Sequence, residues 1–209
     1  WIGQAAFYSF SAIPWSITCC MELYTKKYII TGAPGTGKTS LLNVLEQGYD
    51  CMEEVSRKVI ASEQAKNSDG TPWQDLSKFV ELVYESFVID LKANPQALFT
   101  DRSLLDLIAY LEVAGKVIPG WLDQFPYHDH FYKKVFFAPT WGDIYHQDEQ
   151  RQQTFDYCIQ LAKALSKTYD EKGFEMHLLP KVNPEERSIF VKRLIEQKVQ
   201  TSYNSVQNT

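Results

Sequence analysis

Short apolar runs alternate along the chain with stretches in which apolar positions recur every three to four residues, the signature of strands interleaved with helices. Residues 26–31 read as a strand and 40–45 as a helix; 50–55 read as a second strand with its exit, and 56–65 as helical. A polar loop at 67–72 precedes a long amphipathic helix over 73–93, which Asn94-Pro95 ends. Residues 96–101 form a buried strand and 103–114 a helix, with short helices around Trp121 and Tyr127. A fourth strand at 134–138, a long helix at 150–171, a fifth strand at 174–179 and a last helix at 184–197 complete the pattern. Such alternation demands an α/β fold: a parallel sheet covered on both faces, with ligands at the carboxyl ends of its strands.

Composition narrows this picture. A chain of 209 residues can bury one sizeable core, and residues 21–198 read as one domain, followed by a polar tail at 199–209 expected to be disordered. Residues 1–20 are apolar, aromatic and uncharged; they lack a basic n-region and are interrupted by polar residues and proline, so they read as an upstream extension rather than a signal or a membrane span, with an interfacial anchor or a packed appendage as the alternatives. The net charge of -5 and the lack of a basic run argue against a nucleic-acid polymer as partner. Cys19, Cys20, Cys51 and Cys158 show no C-x-x-C spacing and are read as free thiols of a cytoplasmic protein.

The chemistry begins where the first strand ends. Gly32-Ala33-Pro34-Gly35-Thr36-Gly37-Lys38-Thr39 is a complete G-x-x-x-x-G-K-T phosphate loop between a strand and a helix. Its glycines let successive N–H groups turn inward, so Gly32 to Ser40 form the expected ATP-binding set, with Lys38 on the β- and γ-phosphates and Thr39 on Mg²⁺. Other strand ends deliver charge to the same rim: Glu53 and Glu54 with Arg57, then Asp101 and Arg102, then Arg151 after the fourth strand. Plainer roles exist for each, since an Asp after a strand is often a helix cap and either glutamate can be solvated. His128 and His130 lie two apart, which on a helix turns their rings about 200° from each other, a poor metal pair. Residues 121–127 are expected to build part of an acceptor wall, and residues 180–183 with Ser188 to lie where adenine would be read.

Together, the phosphate loop, Glu54-x-x-Arg57, Asp101-Arg102-Ser103 with Asp106, and Trp141-x-x-Ile144-Tyr145-x-x-Asp148-x-x-Arg151 resemble the AAA-type predicted ATPase family, which includes the nicotinamide-riboside kinase domain of bacterial NAD regulators. Asp101-Arg102-Ser103 is similar, more distantly, to a motif of thymidylate and deoxynucleoside kinases. The resemblance implies a P-loop NTPase with a five-stranded sheet in the order 2-3-1-4-5. Mg²⁺-dependent transfer of the γ-phosphoryl group of ATP to a small, nucleoside- or nucleotide-like hydroxyl compound is then expected. Lys38, Glu54, Asp101, Arg102 and Arg151 are its catalytic candidates; Glu54, Arg57 and Arg102 would meet the acceptor, and Thr39 and Asp101 the metal. The alternative is an ATPase or an ATP- or GTP-dependent binding switch. A signalling GTPase is disfavoured because N-K-x-D is absent.

Overall fold

The computed structural model describes residues 26–144 and 154–206, the last ten of these as backbone only; residues 1–25, 145–153 and 207–209, and with them the leader and Arg151, lie outside the described residues. Five parallel strands, β1 (Lys27–Thr31), β2 (Cys51–Met52), β3 (Phe99–Asp101), β4 (Phe131–Phe137) and β5 (Glu175–Leu178), form one sheet in the order β2-β3-β1-β4-β5. This is the expected order. Since β1 is central and covered on both faces, all five of its residues are buried, which explains its unbroken apolar run.

The pleat divides the core between two helix layers. Ile29, Val135 and Phe137 point to one face, against α2 (Val55–Ala65), α3 (Leu76–Ala93), α4 (Leu104–Val113) and α7 (Phe155–Glu171). Tyr28, Ile30, Phe99 and Phe136 point to the other, against α1 (Lys38–Leu45) and α8 (Pro184–Val206). Two short helices, α5 (Gly120–Asp123) and α6 (Tyr127–His130), lead into β4.

Several boundaries depart from the periodic pattern, β3 and α7 among them, which begin three and five residues after their expected starts at 96 and 150. Helix α3 begins at Leu76 because the Asp75 side chain accepts from the Ser77 and Lys78 amides, leaving Trp73 on the preceding turn. Strand β4 begins at Phe131, three residues before the expected start, where it pairs with Lys27 beside a bulge. Helix α8 runs to Val206, because nothing after Gln197 is a glycine or proline that would stop it. Among the described residues, no helix is long and apolar enough to cross a membrane.

Gly32, which leaves β1, has φ +143°, and a Cβ there would stand 2.3 Å from the Ala138 carbonyl oxygen at the end of β4. Backbone cannot yield as a side chain tip can. Gly32→Ala is expected to cost about 2 to 3 kcal/mol, lowering the melting temperature by roughly 4 to 12 °C in a chain of this size. Thermal unfolding followed by circular dichroism checks this, and an unchanged melting point would contradict the close approach of the two strands.

Candidate functional site

All five strands end on the same edge of the sheet, and there a cavity of about 820 Å³ opens. Pro34, Gly35, Thr36, Gly37, Lys38, Thr39 and Ser40 line its floor; Gly32 and Ala33 are buried beneath. Gly37 has φ +78° at the N-cap of α1, which carries no side-chain cap and no acidic residue in its first turn. Helices α3, α4 and α7 are capped by Asp75, Ser103 and Thr154. The amides of α1 are therefore open to an anion, as are those of α2, whose Glu54 N-cap makes no side-chain cap bond, whereas those of α3, α4 and α7 are committed.

The loop is braced through its own carbonyls. Thr36 Oγ1 and Lys38 Nζ both donate to the Ala33 carbonyl, each at 2.9 Å. Burial, then the charge of Arg102, brings Lys38 down to about 8, against the opposing pull of Asp101, Glu54 and Asp106.

At the exit of β2, sequence alone left two glutamates open, and the structure separates them. Glu53 is largely exposed and pairs with Lys58, whereas Glu54 is held between two guanidinium groups, accepting from Arg102 Nε at 2.8 Å and Arg57 Nε at 2.9 Å. Burial alone would raise the Glu54 carboxyl, but Arg102, then Lys38 and Arg57, outweigh it and hold it down at about 2. It is therefore an ionised hydrogen-bond acceptor at neutral pH and a weak base.

Arg102 has φ 68°, in the left-handed region, and what holds it there is its set of partners. Its amide donates to Ile30 O, Nη1 donates to Gly32 O and Asp106 Oδ1, and its carbonyl accepts from Thr100 Oγ1. Asp106 in turn accepts from Thr31 Oγ1 and the Tyr169 hydroxyl, and completes the capping box with Ser103. Since Ser103 caps α4, Asp101 has no cap to make. Asp101 is 4% exposed and outside the cavity lining, and its Oδ1 is buried without a hydrogen-bond partner. Burial first, then the charge of Glu54, raises its carboxyl to about 6. An orphaned carboxylate oxygen beside a phosphate loop whose Thr39 is exposed fits a hard cation such as Mg²⁺, which needs only one or two protein oxygens; among the described residues no group of three or more His, Cys, Asp or Glu is arranged to hold a metal by itself.

Other expectations require correction. None of residues 121–127 lines the cavity; Trp121 and Phe125 pack on Tyr84 instead. The apolar lining of the cavity comes instead from Ile60, Trp73, Leu76, Phe79, Tyr110 and Tyr157, on α2, α3, α4, α7 and the turn before α3. His128 and His130 stack on separate rings, Phe174 and Phe125. The loop after β5 does reach the cavity through Val182, Asn183 and Pro184, but Ser188 is buried and donates to Glu185 O within its own helix.

Sequence reasoning missed Arg187. It is 2% exposed on the core-facing stripe of α8 that continues with Val191 and Ile195. Its Nη1 donates to Thr36 O at 2.7 Å, its Nε donates to Pro180 O at 2.8 Å, and its guanidinium lies 5.4 Å from the Trp141 ring centroid. Nη2 is buried without a partner. The signal was present in the sequence: a cation in an otherwise apolar i, i+4, i+8 row must find partners inside.

A family model described as AAA domain matches residues 27–187. No curated protein matches the chain. Among solved structures, thymidylate kinase from Ehrlichia chaffeensis is similar, with a TM-score of 0.53 at 14% identity over 82% of this chain and 98% of that one. At that identity the likeness is one of fold, and it is the P-loop kinase fold seen in the strand order.

A triphosphate on this loop requires Lys38 as the ammonium. In the empty protein that group loses its proton near pH 8, so above this pH binding takes up a proton and affinity falls with rising pH, by up to about tenfold per pH unit. Calorimetry at pH 9 in buffers of different ionisation enthalpy is expected to show uptake of close to one proton, absent in Lys38→Met. Affinity that stays constant from pH 7 to 9.5 would contradict the Lys38 environment.

Proposed function

The chain belongs to the AAA domain family, and we propose that it is a phosphotransferase that moves the γ-phosphoryl group of Mg²⁺-bound ATP to the hydroxyl of a small acceptor. The observation that carries this reading is Glu54: an ionised carboxylate fixed between Arg57 and Arg102, on the wall of the cavity whose floor is the phosphate loop. A hydrolase needs to place only water, yet this cavity of about 820 Å³ is also lined by Trp73, Tyr110 and Tyr157. That extra room favours an acceptor over an ATPase or a binding switch.

Phosphoryl transfer asks the protein for position and charge more than for covalent chemistry. Lys38 leaves the Ala33 carbonyl for the β- and γ-oxygens, and the open amides of α1 receive the remaining phosphate charge. Arg187 offers Nη2 to a nucleotide oxygen while Nη1 keeps the loop carbonyl in place. Thr39 and Asp101 would hold Mg²⁺, directly or through water, and the metal would neutralise charge between the β- and γ-phosphates. Glu54 accepts the hydrogen bond of the acceptor hydroxyl and aims its oxygen at phosphorus. With its pKa near 2 it orients that hydroxyl and does not extract the proton early, as suits a loose transition state in which nucleophile activation comes late. Arg57, about half exposed, keeps N–H groups beyond its bond to Glu54 for the transferring phosphoryl.

Glu54→Gln separates the readings. With an acceptor that stimulates ADP formation, the variant is expected to lose that stimulation by about 10² to 10⁴ while ATP affinity and basal hydrolysis stay near wild type. Loss of basal hydrolysis with no acceptor present would mean that Glu54 orients water, and the ATPase reading would replace this one. Lys38→Ala serves as the loop control, with turnover expected to vanish for any acceptor.

A further inference from the structure

We propose that Arg187 is a positioning residue of the phosphate loop: by holding the Thr36 carbonyl it turns the Gly37 N–H into the cavity, ready for a phosphate oxygen. This rests on nucleotide binding at the loop and needs nothing from the acceptor half of the phosphotransferase reading.

Peptide geometry supplies the first step. In a planar trans peptide the C=O and the N–H that follows it point in opposite directions, and no described peptide bond is cis. The Thr36 carbonyl points at Arg187 Nη1, 2.7 Å away, so the Gly37 N–H points away from Arg187. Thr36 and Arg187 are 1% and 2% exposed, whereas Gly37 is partly open and lines the cavity. Among the described residues no backbone carbonyl accepts from the Gly37 amide on that open side.

Glycine makes this peptide easy to turn over. Gly35 and Gly37 have φ +75° and +78°, and glycine takes positive and negative φ at nearly equal cost, so the Thr36–Gly37 peptide could also turn its carbonyl inward. A carbonyl there would oppose phosphate oxygens. The partner offered to Thr36 O selects between the two, and that partner is Arg187, 151 residues away in the chain. The contact itself needs glycine, since a Cβ on Gly37 would stand 3.2 Å from Arg187 Nη1.

Two carbonyls are held at once, which is why charge alone would not serve. Arg187 Nε donates to Pro180 O at 2.8 Å while Nη1 holds Thr36 O, and the guanidinium lies 5.4 Å from the Trp141 ring centroid. The planar fork thus fixes the loop against α8 and the chain leaving β5. Lysine carries the same charge but presents one nitrogen where the fork presents two. Arg102 Nη1 pins the other end of the loop in the same manner, through Gly32 O at 3.0 Å.

The test compares the full chain with Arg187→Lys and Arg187→Ala, the fold of each checked by circular dichroism. Calorimetry measures binding of ADP and of inorganic tripolyphosphate with Mg²⁺, and NMR follows the Gly37 amide proton. Arg187→Lys is expected to weaken both ligands by about 10², nearly as much as Arg187→Ala, the scale of losing one aimed backbone donor. In the unaltered chain the Gly37 amide should move downfield on saturation with ADP, and in Arg187→Lys that movement should be lost. Lysine retaining most of the affinity would show that Arg187 acts by charge and would overturn the proposal. Weaker ADP binding with tripolyphosphate unaffected would place Arg187 at the nucleoside end and overturn it equally. A Gly37 amide that does not respond to ADP in the unaltered chain overturns it whatever the variants do. None of these readouts uses an acceptor, so phosphoryl transfer can fail while the proposal stands; absence of ADP and tripolyphosphate binding to the unaltered chain would remove both.

Discussion

The guanidinium of Arg102 ties together the parts of the molecule that meet at the site. From one left-handed residue it reaches Glu54 at the exit of β2, Gly32 at the exit of β1 and Asp106 in α4. The exits of β1 and β2, 70 and 48 residues away in the chain, are thereby fixed against the start of α4. A left-handed arginine costs about 1 to 3 kcal/mol of backbone strain. Its amide and carbonyl bonds to Ile30 and Thr100, together with the buried ion pairs, outweigh that cost and leave no other arrangement open to it. Removing the guanidinium would strand Glu54 and Asp106 as buried charges, which is why the position is structural and chemical at once.

Around this hub the site keeps unmet demands that a bound nucleotide would satisfy. Asp101 Oδ1 and Arg187 Nη2 are buried without partners, the first turn of α1 has no cap, and Lys38 rests on a carbonyl of its own loop. Each raises the free energy of the empty protein. Each is relieved by a charge of the right sign: a cation for Asp101, anionic oxygens for Arg187, Lys38 and the amides. The raised carboxyl of Asp101 and the lowered ammonium of Lys38 express the same tension, both groups being pushed toward their neutral forms until a ligand arrives.

The central strand and the phosphate loop were legible in the sequence because both depend on local signals, an apolar run for a doubly covered strand and glycines where the chain must turn at positive φ, whereas the strand order followed only from the family resemblance. Asp101, Arg102 and Glu54 could be named as rim candidates because strand ends in a parallel sheet share an edge. Which of Glu53 and Glu54 faces inward could not be read, since that follows from the reach of Arg102 across 48 residues of chain. Residues 121–127 were expected at the cavity but do not line it, because the aromatics there pack on Tyr84, whereas the lining Tyr110 and Tyr157 come from helices that only the tertiary fold brings together. Arg187 was overlooked although its place on an apolar helical row marked it, because its partner Thr36 O lies 151 residues away in the chain.

Phosphoryl transfer to an acceptor is tested most directly by the fate of the terminal phosphate. With Mg²⁺, ATP labelled at the γ-phosphorus and a mixture of nucleosides, the full chain is expected to deliver label into an acid-stable organic monoester in step with ADP formation. Label recovered only as inorganic phosphate, at a rate indifferent to the nucleosides, would contradict it.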